Sequence, residues 1–322
     1  MSPGLTESLA QGARSELETS EFDLIDELET SEEAPLFGVQ LRAELRGIGM
    51  WTEAHGSLEA WVEDGMPERW SVPDKPARPP ASMLHSRLRR RTSTLTRAVV
   101  TAIEEAVAAS GGDLGHTRFV LVSSFGEIET TVTLLSQLGE PGGPISPTKF
   151  HNSVHNTATG YLSIAAGNHC EATALAGGPH SLEIGMLEVI AGLAEGGEDA
   201  LLVFAEERLP PPFDRGDSEQ TFAVALHLSA LSEERAAEPG LGLELRVEQD
   251  LSPKRPTLVP GAGGVGLPAM VGPLLAILRE ALAFAGGEGS GSSYALGAGH
   301  DPAVASRWTT SLRRLEGATS DD

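Results

Sequence analysis

The sequence contains one cysteine, Cys170, which excludes an intrachain disulfide and any metal site built from several thiolates. Cationic residues are also scarce: 23 Lys and Arg stand against 46 Asp and Glu, a formal charge of −23. A chain this acidic is repelled by nucleic acid and by anionic membrane surfaces, so neither is expected as its main partner. A solubilising surface is the ordinary reason for such acidity, and a basic partner is the alternative. No apolar run approaches the roughly 20 residues of a membrane span, and the first residues lack the charged-then-apolar order of a signal peptide. The expected location is cytoplasmic. Aromatic residues make up 5% of the chain against 37 glycines, so helices are expected to pack closely around small side chains.

At 322 residues the chain can bury one large core or two smaller ones. Residues 1–36 are acidic, rich in Ser and Thr and poor in apolar side chains, and are expected to form a disordered tail. Phe22–Leu28 is its least polar part. A folded domain is expected over 37–285 and a Gly/Ser-rich mobile tail over 286–322. Within the domain, strands are predicted at 39–44, 118–123 and 200–205, with helices at 94–109 and 126–138. Strands 221–229 and 243–248 alternate as half-exposed sheet positions do, and an apolar helix closes the series at 266–285. Alternating strands and helices predict a layered α/β fold.

The densest stretch runs from Phe150 to Arg208 and reads as helix, Gly-rich turn, second helix and buried strand. The second helix is apolar at Leu182, Met186, Ile190 and Leu193, the spacing of a buried face. Pro179 suits its first turn, where a missing N–H costs little. A loop feeding a helix head can stabilise an anion, as acyl-transfer enzymes do for a nucleophile. His151 and His155, four apart, would share a helix face, but no third metal ligand accompanies them. Gly261–Gly266 matches GxGxxG, yet Pro260 spoils the strand that a nucleotide fingerprint requires. Ser123 and Ser124 end a strand without a GxSxG context. Cys170 has a histidine neighbour, although lone cysteines are more often inert. Arg87–Arg91 (RLRRR) is the one basic cluster, suited to an acidic carrier protein or to internal ion pairs.

Arg89–Thr92 (RRRT), Phe119–Glu127 (FVLVSSFGE), Ser146-Pro-Thr148, Ser153-Val-His-Asn156, Thr159-Gly160, Ser163-Ile164 and the strand ending at Ala205 together resemble the N-terminal half of β-ketoacyl synthases. The likeness is closest to the ketosynthase-like subunits, called chain length factors, of aryl-polyene-type clusters. The resemblance implies a thiolase-like layered α-β-α fold whose C-terminal half is reduced or degenerate. An active member holds a Cys thiolate at the head of the second helix and takes two histidines from its C-terminal half. Counting without gaps from Gly160 puts Pro179 at the nucleophile position; aligning on Thr173–Gly178 puts Leu175 there. No HGTGT-like segment follows, 260–282 is at most a degenerate echo, and His300 lacks a flanking match.

The resemblance therefore implies a non-catalytic subunit, with no intact catalytic residue, no cofactor and no metal. It would pair with an active ketosynthase in fatty acid or polyketide biosynthesis and meet acyl carrier proteins indirectly. Ser153, His155, Asn156, Gly178, Pro179 and His180 would line the degenerate site, and Arg87, Arg89, Arg90 and Arg91 would dock a carrier. The alternatives are an acyltransferase or hydrolase using His155, His180 or Cys170, or a scaffold binding something unrelated to acyl chains.

Overall fold

The structure is a computed structural model describing residues 38–67, 70, 74–141, 144–196, 199–211, 213, 220–231, 240–249, 267–289, 291, 293–296 and 306–315. The acidic N-terminal segment, the GxGxxG match and His300 lie outside these residues. The described chain runs β1 (Gly38–Thr52), α1 (Leu58–Glu63), α2 (Ser86–Arg89), α3 (Thr94–Ser110), β2 (Arg118–Val122), α4 (Ile128–Gly139), α5 (Pro147–Asn152), α6 (Thr157–Ala166), β3 (Ala172–Leu175), α7 (Ser181–Ala194), β4 (Ala200–Glu206), β5 (Phe222–Ala230), β6 (Gly240–Gln249), α8 (Leu267–Ala285), β7 (Ser293–Leu296) and β8 (Ser306–Leu315).

One sheet organises these elements, in the order β3-β2-β4-β5-β1-β6-β8-β7. β2 lies parallel to β3 and β4, and every other neighbour is antiparallel. The period of two along each central strand separates two cores. Val120, Val122, Leu202, Phe204, Val224 and Leu226 face the layer of α7 and α8. Phe119, Leu121, Leu201, Val203, Ala223 and Ala225 face α3 and α6. The result is helix, sheet, helix.

The predicted strand at 221–229 differs from its expected half-exposure. β5 is buried from Phe222 to Ser229 because it sits between β4 and β1 with helices over both faces. Small residues set one of those contacts. A methyl group on Gly49 would stand 1.9 Å from the Ala102 carbonyl oxygen, and one on Gly47 2.2 Å from that of Ala106. α3 therefore lies directly on the β1 backbone. Its ends are capped: the Ser93 hydroxyl accepts the Thr96 N–H at 2.9 Å, and Gly111 closes it at φ 69°.

The segment between β1 and α3 is clamped by carboxylates of α3. Glu105 accepts the N–H groups of Met50 at 2.8 Å and Leu58 at 3.0 Å, and Glu104 accepts that of Ser82 at 3.1 Å. Trp51, Trp61 and Trp70 are all buried, Trp61 and Trp70 in the core beside α7 and α8 and Trp51 in the core beside α3 and α6.

Two elements depart from expectation. β3 was not predicted: Thr173 to Leu175 is an edge strand rather than loop. The stretch after Gly286, expected as a mobile tail, supplies β7 and β8. β8 pairs along its whole length with β6, from Gly240↔Leu315 to Gln249↔Ser306, and buries Thr310 and Leu312. Gly and Ser around these strands dominate the local composition, while the partner that orders β8 lies far away in sequence.

Candidate functional site at the head of helix α7

In open α/β sheets, ligands gather where parallel strands end. Here β2 and β4 end at Val122 and Glu206, beside the head of α7. The chain reaches that head from β3 through Ala176 and Gly177 and a single 3-10 turn, Gly178–His180. Gly178 is at φ 55°, a left-handed conformation that suits glycine. Pro179 occupies the 3-10 turn immediately before α7, and Leu175 ends β3. No thiol stands at either position.

The polar groups behind this head form one connected network. Ser181 is fully buried; its hydroxyl donates to the Gly178 carbonyl at 2.8 Å and lies 3.3 Å from the Ser124 hydroxyl. Ser123 donates to Glu206 Oε2 at 2.9 Å, and the Ser124 and Phe125 N–H groups point to the same carboxylate. Successive N–H groups in such a turn form an anion-binding nest, and the anion filling it is the chain's own Glu206. His155 packs over Gly126, and its Nε2 lies 2.7 Å from the Ser123 carbonyl oxygen. A carbonyl only accepts, so Nε2 carries the hydrogen.

At the start of α7, Glu183 is 2% exposed, with Oε1 3.4 Å from His180 Nδ1 and Oε2 without a hydrogen-bond partner. Burial pushes the carboxyl groups of Glu183 and Glu206 above the usual range, against the hydrogen bonds that lower them. A helix head favours negative charge, and Glu183 places a carboxyl in its first turn. Both features able to hold an oxyanion thus already hold a side chain of this protein.

The turn carries two further buried carboxyls. Glu127 accepts hydroxyl hydrogens from Ser93 at 2.7 Å and Thr96 at 2.6 Å, both at the head of α3. Glu207 accepts the Glu129 N–H at 2.9 Å and so caps the head of α4. None of Glu127, Glu183, Glu206 and Glu207 figured among the predicted site residues. Glu206 and Glu207 had a signal, an acidic pair ending an apolar strand. Glu183 had another, a charge beside Leu182 on the apolar face of a helix.

The remaining predicted residues scatter. Ser153 donates locally to Phe150 O at 2.9 Å. Asn156 is exposed at the start of α6, where its backbone carbonyl, not its side chain, accepts from Gly160 N at 3.0 Å. His151 and His155 do not share a helix: α5 stops at Asn152, and the His151 ring instead meets Tyr161 edge-on. Cys170 precedes β3, and α7 begins beyond the other end of that strand. At about 3.3 Å per residue, the length of β3 separates the thiol from the α7 head, the two lying at opposite ends of that edge strand. Among the described residues, no group of three or more His, Cys, Asp or Glu could hold a metal ion.

Among the described residues, the basic cluster makes no ion pair. Arg87, Arg90 and Arg91 are exposed, and among the described residues none meets a carboxylate. Arg89 donates to the Pro80 carbonyl at 3.0 Å, and Arg97 donates to Arg89 O. Burial, with Arg89 and Arg78 beside it, lowers the pKa of Arg97. By contrast, Arg42 meets Glu244 and Arg118 meets Glu188.

A mixed sheet between two helical layers, with a helix head behind its parallel strands, defines a thiolase-like α-β-α protein. After β5, the described residues form β6, α8, β7 and β8. The chain belongs to the beta-ketoacyl synthase family, whose N-terminal domain model matches residues 60–257. Among solved structures it is similar to a chain from the ketosynthase ApeO in complex with its chain length factor ApeC, from Xenorhabdus doucetiae. That match has 19% identity and a TM-score of 0.61, covering 84% of this chain and 99% of the other. The ishigamide ketosynthase/chain length factor matches at 16% identity and a TM-score of 0.60, covering 86% and 100%. At these identities the likeness is one of fold. No curated protein matches the sequence.

Proposed function

We propose that the protein is a non-catalytic, chain-length-factor-type subunit that pairs with an active β-ketoacyl synthase in fatty acid or polyketide biosynthesis. The observation that carries this reading is the head of α7. On this reading Pro179 in the turn, or Leu175 at the end of β3, takes the place of the family's nucleophile, and Glu183 and Glu206 take the places an oxyanion would need. Ser153, His155, Asn156, Gly178 and His180 then serve as wall or contact, not as chemistry.

Pairing is supported at the β3 edge. β3 ends the sheet, and α6 and α7 pack beside it. Ile164 on α6 and Ile184 on α7 are exposed, as are Leu135, Leu138, Phe150 and Val154 on and after α4 and α5. An edge strand flanked by exposed apolar side chains calls for a cover. The unpaired Arg87, Arg90 and Arg91, with Arg89 beside them, suit an acidic carrier protein reaching the partner. An enzyme acting through Cys170 is disfavoured by its place at the opposite end of β3 from the α7 head.

The test is purification of the tagged protein from its native host, with identification of whatever co-purifies in equal amount. A ketosynthase bearing an intact Cys and two histidines is the expected companion. A folded protein that emerges alone, or one whose Cys170 becomes acylated by acyl carrier protein, overturns the reading.

A further inference from the structure

One stretch of this acidic chain reverses sign. From Lys75 to Ile103 the sequence has no Asp or Glu, although the whole chain carries 46 of them against 23 Lys and Arg. Elsewhere Arg42 and Arg246 meet Glu244, Arg118 meets Glu188 and Arg208 meets Glu53. Among the described residues, Arg78, Arg87, Arg89, Arg90, Arg91 and Arg97 meet no carboxylate.

Neutral groups hold this stretch instead. Arg89 is half-buried, and its Nη1 donates to the Pro80 carbonyl at 3.0 Å. Arg97, also half-buried, donates through Nη2 to the Arg89 carbonyl and through Nε to the Thr92 hydroxyl at 3.2 Å. The backbone between them is braced from both sides. The Ala81 N–H donates to the Thr101 hydroxyl at 3.0 Å, and the buried Asn152 amide donates to the Arg91 carbonyl. Arg97 thus reaches the backbone at Arg89, and the Arg89 guanidinium reaches the backbone at Pro80, two residues from Arg78. Among the described residues, Nε and Nη2 of Arg89 and Nη1 of Arg97 have no acceptor.

The fold leaves the resulting repulsion standing. Burial, then Arg89 and Arg78, lower the pKa of Arg97. The carboxyl at the head of α3, Glu127, is no counterion: its Oε1 takes the Ser93 and Thr96 hydroxyls, and burial raises its pKa.

We propose that Arg89 and Arg97, with the exposed Arg78 nearby, hold the phosphate group of a small ligand. Guanidinium forks match phosphate oxygens two at a time, and a dianion there cancels the repulsion between the arginines. The phosphate comes from a soluble ester or from the phosphopantetheine arm of a carrier. Arg87, Arg90 and Arg91 are left on the surface to steer it. The site does not rest on the pairing reading, which co-purification tests separately.

The test is calorimetric titration of the full chain with inorganic pyrophosphate, at fixed ionic strength in chloride. Saturable binding is expected. Arg89→Gln and Arg97→Gln should each weaken it at least roughly tenfold, as loss of a charge-assisted contact does. The exposed pair Arg87→Gln and Arg90→Gln, made together, should weaken it less than about threefold. Phosphopantetheine and adenosine monophosphate, titrated alongside, separate the sources. Tighter binding of phosphopantetheine assigns the arm of a carrier, and any other order assigns a soluble ester. No saturable binding of any of the three overturns the site. Equal losses in Arg89→Gln and in the exposed pair also overturn it, since they mark a diffuse positive surface. Should Arg97→Gln not fold, Arg89→Gln carries the test, because that side chain reaches only the Pro80 carbonyl.

Discussion

At the scale of one residue, the proposed function gives Pro179 the nucleophile's place at the head of α7. It precedes a buried helix of 14 residues, and a thiol placed there would feel the positive end of the helix. Pro179→Cys should therefore alkylate with iodoacetamide at neutral pH several-fold faster than Cys170 in the same chain, measured by mass spectrometry of the two peptides. It should not gain condensing activity, since Glu183 and Glu206 still occupy the positions around it. Equal rates at the two cysteines would show that the helix head is closed. How much of this was legible follows from the residues. Pro179, the buried periodicity of α7 and the family likeness all came from local sequence. Glu183, Glu206 and Glu207 escaped because their importance rests on burial and on Ser123, Phe125 and Glu129, which only folding brings near.

At the scale of elements, large apolar side chains stand exposed on α5 and α6, the latter beside β3. Ile164 is 67% exposed on α6 and Phe150 64% exposed on α5. Such residues contribute little to the isolated fold, so Phe150→Asp and Ile164→Lys should each change its stability by no more than about 0.5 kcal/mol, by urea unfolding. Together they should abolish co-purification with the partner. Retained co-purification would move the interface elsewhere. β3 itself was invisible in sequence: four residues, ATAL, carry no period, and its pairing with β2 defines it. Helices α3, α4 and α8, by contrast, were placed to within a residue or two, because periodicity is local; the single helix read around His151 and His155 is split into α5 and α6.

At the scale of the molecule, the C-terminal half is small but integral. β8 completes the ladder on β6 and puts Leu312 into the same core as Leu243, Leu245 and Leu278. Ending the chain before Ser306 should leave β6 with an open edge and a cavity where Leu312 and Leu315 were. The truncated protein is expected to aggregate or to lose its cooperative transition, by circular dichroism and sedimentation. An unchanged melting curve would make β8 dispensable.

β1 joins the two halves of the sheet, pairing with β5 over 43–52 and with β6 over 38–44. This gives the molecule a clock. Among the described strands, β1 has no partner until the chain has grown past residue 230, and β6 in turn waits for β8. Assembly through such distant pairings is slow, and its intermediates are prone to stick to one another. The acidity of the whole chain, which keeps like molecules apart, then matters most before the fold exists.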